Sequence, residues 1–161
     1  MPKSVIDKPT AKVDMTTMPD PLARFVRAQE RDYVQALAEL VAGQKRTHWI
    51  WYVLPQLREL GRSQMARDYG IADSNEAAAY YAHPVLGPRL VQCVYAVLGH
   101  RDKSAMRILG ETDAMKFRSC LTLFANVVPD EPVFLDALNT FYEGKPDTAT
   151  IRILGAAARE V

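Results

Sequence analysis

Little cysteine, little excess charge and no long apolar run mark this chain, and each shortage removes a class of protein. Cys93 and Cys120 are its two cysteines. They fall in segments with helical apolar spacing and lack the close spacing of a metal knuckle or redox pair, so they read as reduced core thiols. The 20 basic and 19 acidic residues leave a formal net charge of +1, which offers no broad attraction to phosphate backbones or anionic membranes. Neither nucleic acid nor a membrane is therefore expected as a partner. No apolar stretch approaches the roughly 20 residues of a membrane helix, and the start lacks the apolar block of a signal peptide. A soluble, cytoplasmic protein follows.

Motifs of standard chemistry are missing too. Neither glycine-rich phosphate-binding word occurs, no nucleophile has a local base, and no turn frames a pair of carboxylates. His48, His83 and His100 are too dispersed for a metal site unless the fold gathers them. No metal and no cofactor are expected, and whether the chain is an enzyme stays open.

Strand-like alternation bounded by hairpin turns is also lacking, and the pattern that remains is helical. Residues 1–19, punctuated by Pro2, Pro9 and Pro19, read as a tail. Asp20-Pro21 predicts a helix start, and Leu22, Phe25, Val26, Gln29, Tyr33, Leu37, Leu40 and Val41 keep its period up to Gly43, with Arg24, Arg27, Arg31 and Glu39 placed on the surface. Further helices are predicted over 48–53 under a Thr47 cap, 62–69, 75–82 capped by Asp73 or Ser74, and from Pro84 to near Gly99. They continue over 104–109, 114–127 capped by Thr112 or Asp113, 131–142, and 148–154 capped by Asp147. The economical architecture is all-α, a compact single domain of about eight or nine helices with no sheet, spanning 20–155 and followed by a C-terminal end at 156–161.

Several words of this chain resemble a known family: HWIWYVLPQL, LGRS, YAHPVLGPRL, Asp113 with Lys116, and SCLTLF. It is similar over about residues 20 to 155 to the bacterial all-helical family catalogued as domain of unknown function 1810, some members of which are mislabelled calpastatin. The resemblance implies a helical single domain and leaves the biochemical role open. Leu54 stands where the family more often has Phe, and Glu59 where it commonly has Gly, which bears on the loop after Gln56.

Polar residues beside these apolar words are the candidate site. Trp49 and Trp51 lie two apart, so on a helix they point about 200° from each other and cannot both face one core. Trp49, Ile50 and Val53 then enter the core while Trp51 and Tyr52 cover a seam, or one indole walls a ligand cleft with His48 and Gln56 at its mouth. Arg62 and Ser63 fall where a helix starts, so Ser63 caps it or the pair meets an anion. His83 and Arg89 flank a helix start. Lys116, Ser119 and Thr122 share one side of a helix, where the hydroxyls bond back to the backbone or face a ligand.

Two functions fit. One is a pocket for a small anionic, planar ligand, such as one derived from a nucleotide, lined by His48, Trp51, Gln56, Arg62, Ser63, His83, Arg89, Lys116 and Ser119. The other is a non-enzymatic interaction module whose exposed patch carries Trp51 and Tyr52. A shared concave site favours the first and a flat apolar patch the second.

Overall fold

Many of the residues expected to open and close helices do so in the structure, a computed structural model that describes residues 20–159. The expected tail, residues 1–19, lies outside the described residues, as do the last two of the chain. Asp20 accepts the Leu22 amide at 3.0 Å and its carbonyl takes the Ala23 amide, forming a turn from which α1 (Ala23–Ala42) leaves with Leu22 as its cap. Helix α1 ends at Gly43, whose amide returns to Leu40 O at 3.1 Å.

Then come α2 (Ile50–Val53), a 3-10 turn (Arg58–Leu60), α3 (Gln64–Asp68), α4 (Ser74–Ala82) and α5 (Leu86–Leu98). After these lie α6 (Ala105–Leu109), α7 (Glu111–Val127), α8 (Pro132–Tyr142) and α9 (Thr148–Arg159). Side-chain caps fix several starts: Ser63 takes the Ala66 amide at 3.1 Å, Asp73 that of Glu76 at 2.9 Å, Ser104 that of Arg107 at 3.1 Å and Asp147 that of Thr150 at 2.9 Å. Each satisfies an amide that the helix itself cannot.

Some boundaries differ from expectation. Helix α2 begins at Ile50, so Thr47 and His48 stay outside it. Helix α7 starts at Glu111 because the Gly110 carbonyl already accepts the Ala114 amide at 2.9 Å, which puts Thr112 and Asp113 inside its first turn. Helix α9 continues past Leu154 to Arg159. No sheet forms among the described residues; one isolated parallel bridge joins Leu57 to Ile71.

Helix α7 occupies the centre and contacts α4, α6, α8 and α9. Phe117, Cys120, Leu121, Leu123 and Phe124 are each 0% exposed, so apolar residues surround most of its axis, as a central helix requires. Its buried hydroxyls are satisfied locally: Ser119 Oγ donates to Met115 O at 3.3 Å and Thr122 Oγ1 to Arg118 O at 2.8 Å. Thr122 Oγ1 also accepts the Asp147 amide at 2.9 Å, tying the start of α9 to α7. Helix α5 packs on α1, α4 and α8. In the His-Pro word, a Cβ on Gly87 would stand 1.9 Å from Tyr81 O, so only glycine lets α5 approach the end of α4 this closely. Cys93 and Cys120 are free and buried; burial pushes the Cys93 thiol up to about 12 and raises that of Cys120 as well. No helix among the described residues is long and apolar enough to cross a membrane.

Candidate functional site

The aromatic segment is held by a residue that the sequence placed on the surface. Glu39 is 4% exposed, near the end of α1. Its Oε1 accepts the Arg46 amide at 2.8 Å, the Thr47 amide at 3.1 Å and the Trp49 indole N–H at 2.9 Å. Its Oε2 accepts Thr47 Oγ1 at 2.7 Å and Gln35 Nε2 at 2.9 Å. Burial opposes the charge, but the hydrogen bonds from Thr47, Arg46 and Gln35 overcome it and lower the carboxyl to about 2. Next to it, Lys45 pairs with Asp113 at 2.8 Å and stands 4.8 Å from the Trp49 ring centroid. Asp113 of the family word therefore joins α7 to this loop rather than to Lys116.

With Trp49 drawn into the core, Trp51 must face elsewhere. Tyr52 follows Trp49 inward: it is 2% exposed, its hydroxyl bonds Asp32, and burial together with that bond raises its pKa. Tyr52 is buried and Trp51 half-buried, so the two do not form the exposed patch that the interaction-module alternative requires. Lys116 Nζ lies 5.5 Å from the Trp51 ring centroid, and the Tyr52 ring lies 6.4 Å from it. The indole Nε1–H of Trp51 is buried without an acceptor among the described residues.

Two hollows adjoin here, and Trp51 lines the smaller of them. A narrow slot of about 10 Å³ lies among Ile50, Trp51, Leu54, Gln56, Ala66, Tyr69, Gly70 and Lys116. Beside it is a cleft of about 380 Å³, walled by Gln56, Leu60, Arg62, Ser63, Ala66, Thr112, Met115, Lys116, Ser119, Asp147 and Ala149. Gln56, Ala66 and Lys116 belong to both. Gln56 is placed by its backbone: its carbonyl takes the Ile71 amide at 2.9 Å and the Arg58 amide reaches Ile71 O at 2.8 Å. Gly70 permits this crossing, since a Cβ there would come within 2.2 Å of Arg58 Cα.

Of the residues the sequence singled out, Trp51, Gln56, Arg62, Ser63, Lys116 and Ser119 come together here. Among the described residues neither Arg62 nor Lys116 forms an ion pair. Ser119 spends its hydroxyl hydrogen on Met115 O, whereas Ser63 Oγ accepts the Ala66 amide as the α3 cap and keeps its O–H as a donor.

His48, His83 and Arg89 lie elsewhere. His48 is exposed ahead of Trp49. His83 Nδ1 accepts the Val85 and Leu86 amides at 3.0 and 3.3 Å, opening α5, and the ring borders a separate hollow with Tyr81, Pro88 and Glu131. Arg89 stands 4.6 Å from the Tyr33 ring centroid and reaches Gln29 Oε1 at 3.4 Å. No group of three or more His, Cys, Asp or Glu residues that could hold a metal ion occurs among the described residues.

Sequence reasoning missed Leu60, Ala66, Thr112, Met115, Asp147 and Ala149. Asp147 enters the cleft wall from the α9 start, where its Oδ2 accepts the Thr150 amide and hydroxyl at 2.9 and 2.6 Å. Met115 carried one usable signal, an apolar residue next to Lys116 that is 68% exposed.

The sequence model of a family described as "Protein of unknown function (DUF1810)" matches residues 19–154. The fold is similar to the crystal structure of the conserved hypothetical protein Rv1873 from Mycobacterium tuberculosis: TM-score 0.83 and 43% identity over 84% of this chain and 99% of that one. No curated protein matches the chain.

Proposed function

The chain belongs to the DUF1810 family, and on that premise we propose that it binds a small anionic ligand with a flat body, such as one derived from a nucleotide, in the cleft between α3, α7 and the start of α9. The observation that carries this reading is that Arg62 and Lys116, from separate elements and without ion pairs among the described residues, line one concave hollow. Cations placed so attract an anion, and the hollow's volume suits a small molecule. Leu60, Ala66, Met115 and Ala149 supply an apolar wall for the ligand's flat part.

Stacking on the Trp51 face is not used in this reading, because Lys116 stands near the Trp51 ring. Gln56 adds an amide that can donate or accept at the junction of cleft and slot. The chemistry assigned is recognition rather than reaction.

A thermal-shift and calorimetric screen with adenosine monophosphate, adenosine and inorganic phosphate tests it. The phosphorylated probes are expected to bind, and the Lys116→Ala, Arg62→Ala double variant to lose that binding at unchanged helicity. Equal binding by the double variant, or none by the wild type, rejects the cleft.

A further inference from the structure

We propose that the group this site takes is the dianionic phosphoryl of a phosphomonoester, one of whose oxygens sits in the slot and accepts the Trp51 indole N–H. This rests on the reading of the cleft as an anion site and adds which class of anion enters it and by which donors.

The starting observation is the contrast between the two indoles. Trp49 satisfies its N–H on Glu39 at 2.9 Å. Trp51 has its own N–H buried with no acceptor among the described residues. Buried donors are almost always partnered, because an unmade bond forfeits the hydration given up on burial. The indole borders a slot of about 10 Å³, at the lower bound of room for one water-sized oxygen. A whole ligand cannot enter; a single terminal oxygen of a larger anion can.

Lys116 is the link between the two hollows, since it lines both. Its ammonium, 5.5 Å from the Trp51 ring centroid, is positioned to neutralise an anion whose oxygen reaches the slot. Arg62 lines the cleft but not the slot. The three donors thus come from three elements: Trp51 on α2, Arg62 ahead of α3 and Lys116 on α7. A phosphomonoester presents three terminal oxygens in a tetrahedral arrangement and about two negative charges, one oxygen for each donor; because the wall also carries the Asp147 carboxylate, the number of oxygens rather than the charge balance selects the phosphoryl. A carboxylate presents two oxygens in one plane and one charge. Asp147, the acid in the cleft wall, has its Oδ2 engaged by Thr150.

The experiment is a titration of the full-length, nitrogen-15-labelled protein with phenyl phosphate, followed through its two indole resonances and assigned with Trp51→Phe. The Trp51 resonance is expected to move and that of Trp49 to stay. Trp51→Phe, which keeps a ring beside Lys116 but removes the donor, is expected to weaken phenyl phosphate binding about tenfold or more. Benzoate is expected to bind at least about tenfold more weakly than phenyl phosphate, having lost a charge-assisted hydrogen bond. If phenyl phosphate binds and the Lys116→Ala, Arg62→Ala variant loses it, while the Trp51 resonance is unmoved and Trp51→Phe binds normally, the seat in the slot is wrong and the cleft reading stands. Benzoate binding as tightly as phenyl phosphate overturns the phosphoryl assignment. Absence of binding by every probe overturns both this inference and the reading beneath it.

Discussion

Glu39 and Trp49 meet carboxylate to indole at 2.9 Å, both almost fully buried. That bond draws Trp49 into the core and leaves Trp51 to the slot. Removing the carboxylate should therefore loosen the segment. Glu39→Ala leaves the buried Trp49 N–H unpaired and should cost at least about 2–3 kcal/mol, measured by urea unfolding. A variant as stable as the wild type would mean that the loop is held by packing alone.

The same carboxylate predicts acid sensitivity. Its folded pKa is lowered to about 2, below the roughly 4.3 of a free glutamate. A depressed carboxyl stabilises above its unfolded pKa and loses that contribution as pH falls through the folded one, here between about pH 4.5 and 2. The loss at the bottom of that window should be roughly 3 kcal/mol. Unfolding free energies measured from pH 6 downwards should show it, and Glu39→Gln should flatten that part of the profile. A profile that Glu39→Gln leaves unchanged would assign the sensitivity to other groups.

Helix α7 carries the core. Phe124→Ala, at a position 0% exposed, should cost roughly 3–5 kcal/mol, whereas Arg27→Ala, on the exposed side of α1, should change stability by less than about 0.5 kcal/mol. Similar losses from both would contradict the placement of α7 at the centre.

Much of this architecture was legible because helix ends are set by nearest neighbours. Ser63, Asp73, Ser104 and Asp147 each bond an amide three residues on, a relation that sequence displays directly. The burial of Glu39 was not legible: a glutamate in a helix reads as solvated, and its donors come from a loop that folds back only in the tertiary structure. For the same reason Asp113 was read together with Lys116, its neighbour on α7, while its partner Lys45 lies far away in the sequence. Within the candidate site, Gln56, Arg62, Ser63, Lys116 and Ser119 were found by type. His83 and Arg89 share that type but turn to a helix cap and to the Tyr33 ring. Residue type identifies a group able to bind; only the crossing of chain segments says which groups face one another.

The Thr122 hydroxyl adds a hydrogen bond to the packing of α9 on α7. Thr122→Val removes the acceptor of the Asp147 amide and should cost about 1 kcal/mol, with faster amide exchange over the first turn of α9. Because Asp147 and Ala149 wall the cleft, it should also weaken whatever binds there. Unchanged exchange at residues 147–150 would place the anchor of α9 elsewhere.

Crowding at Gly70 gives a control away from the cations. Gly70→Ala would put a methyl within 2.2 Å of Arg58 Cα, an overlap with backbone that should cost about 1–3 kcal/mol or more. Thermal melts of the wild type and variant measure it, and an unchanged melting temperature would show that the 56–58 segment gives way freely.

The most direct test is where an anion sits: diffraction from crystals of the full chain grown with phenyl phosphate. The predicted result is density for the phosphoryl group between Arg62 and Lys116, with one oxygen within hydrogen-bonding distance of Trp51 Nε1 and the ring against Leu60 and Met115. Phosphoryl density at Arg89 or beside His83, with the Arg62–Lys116 cleft holding none, would contradict it.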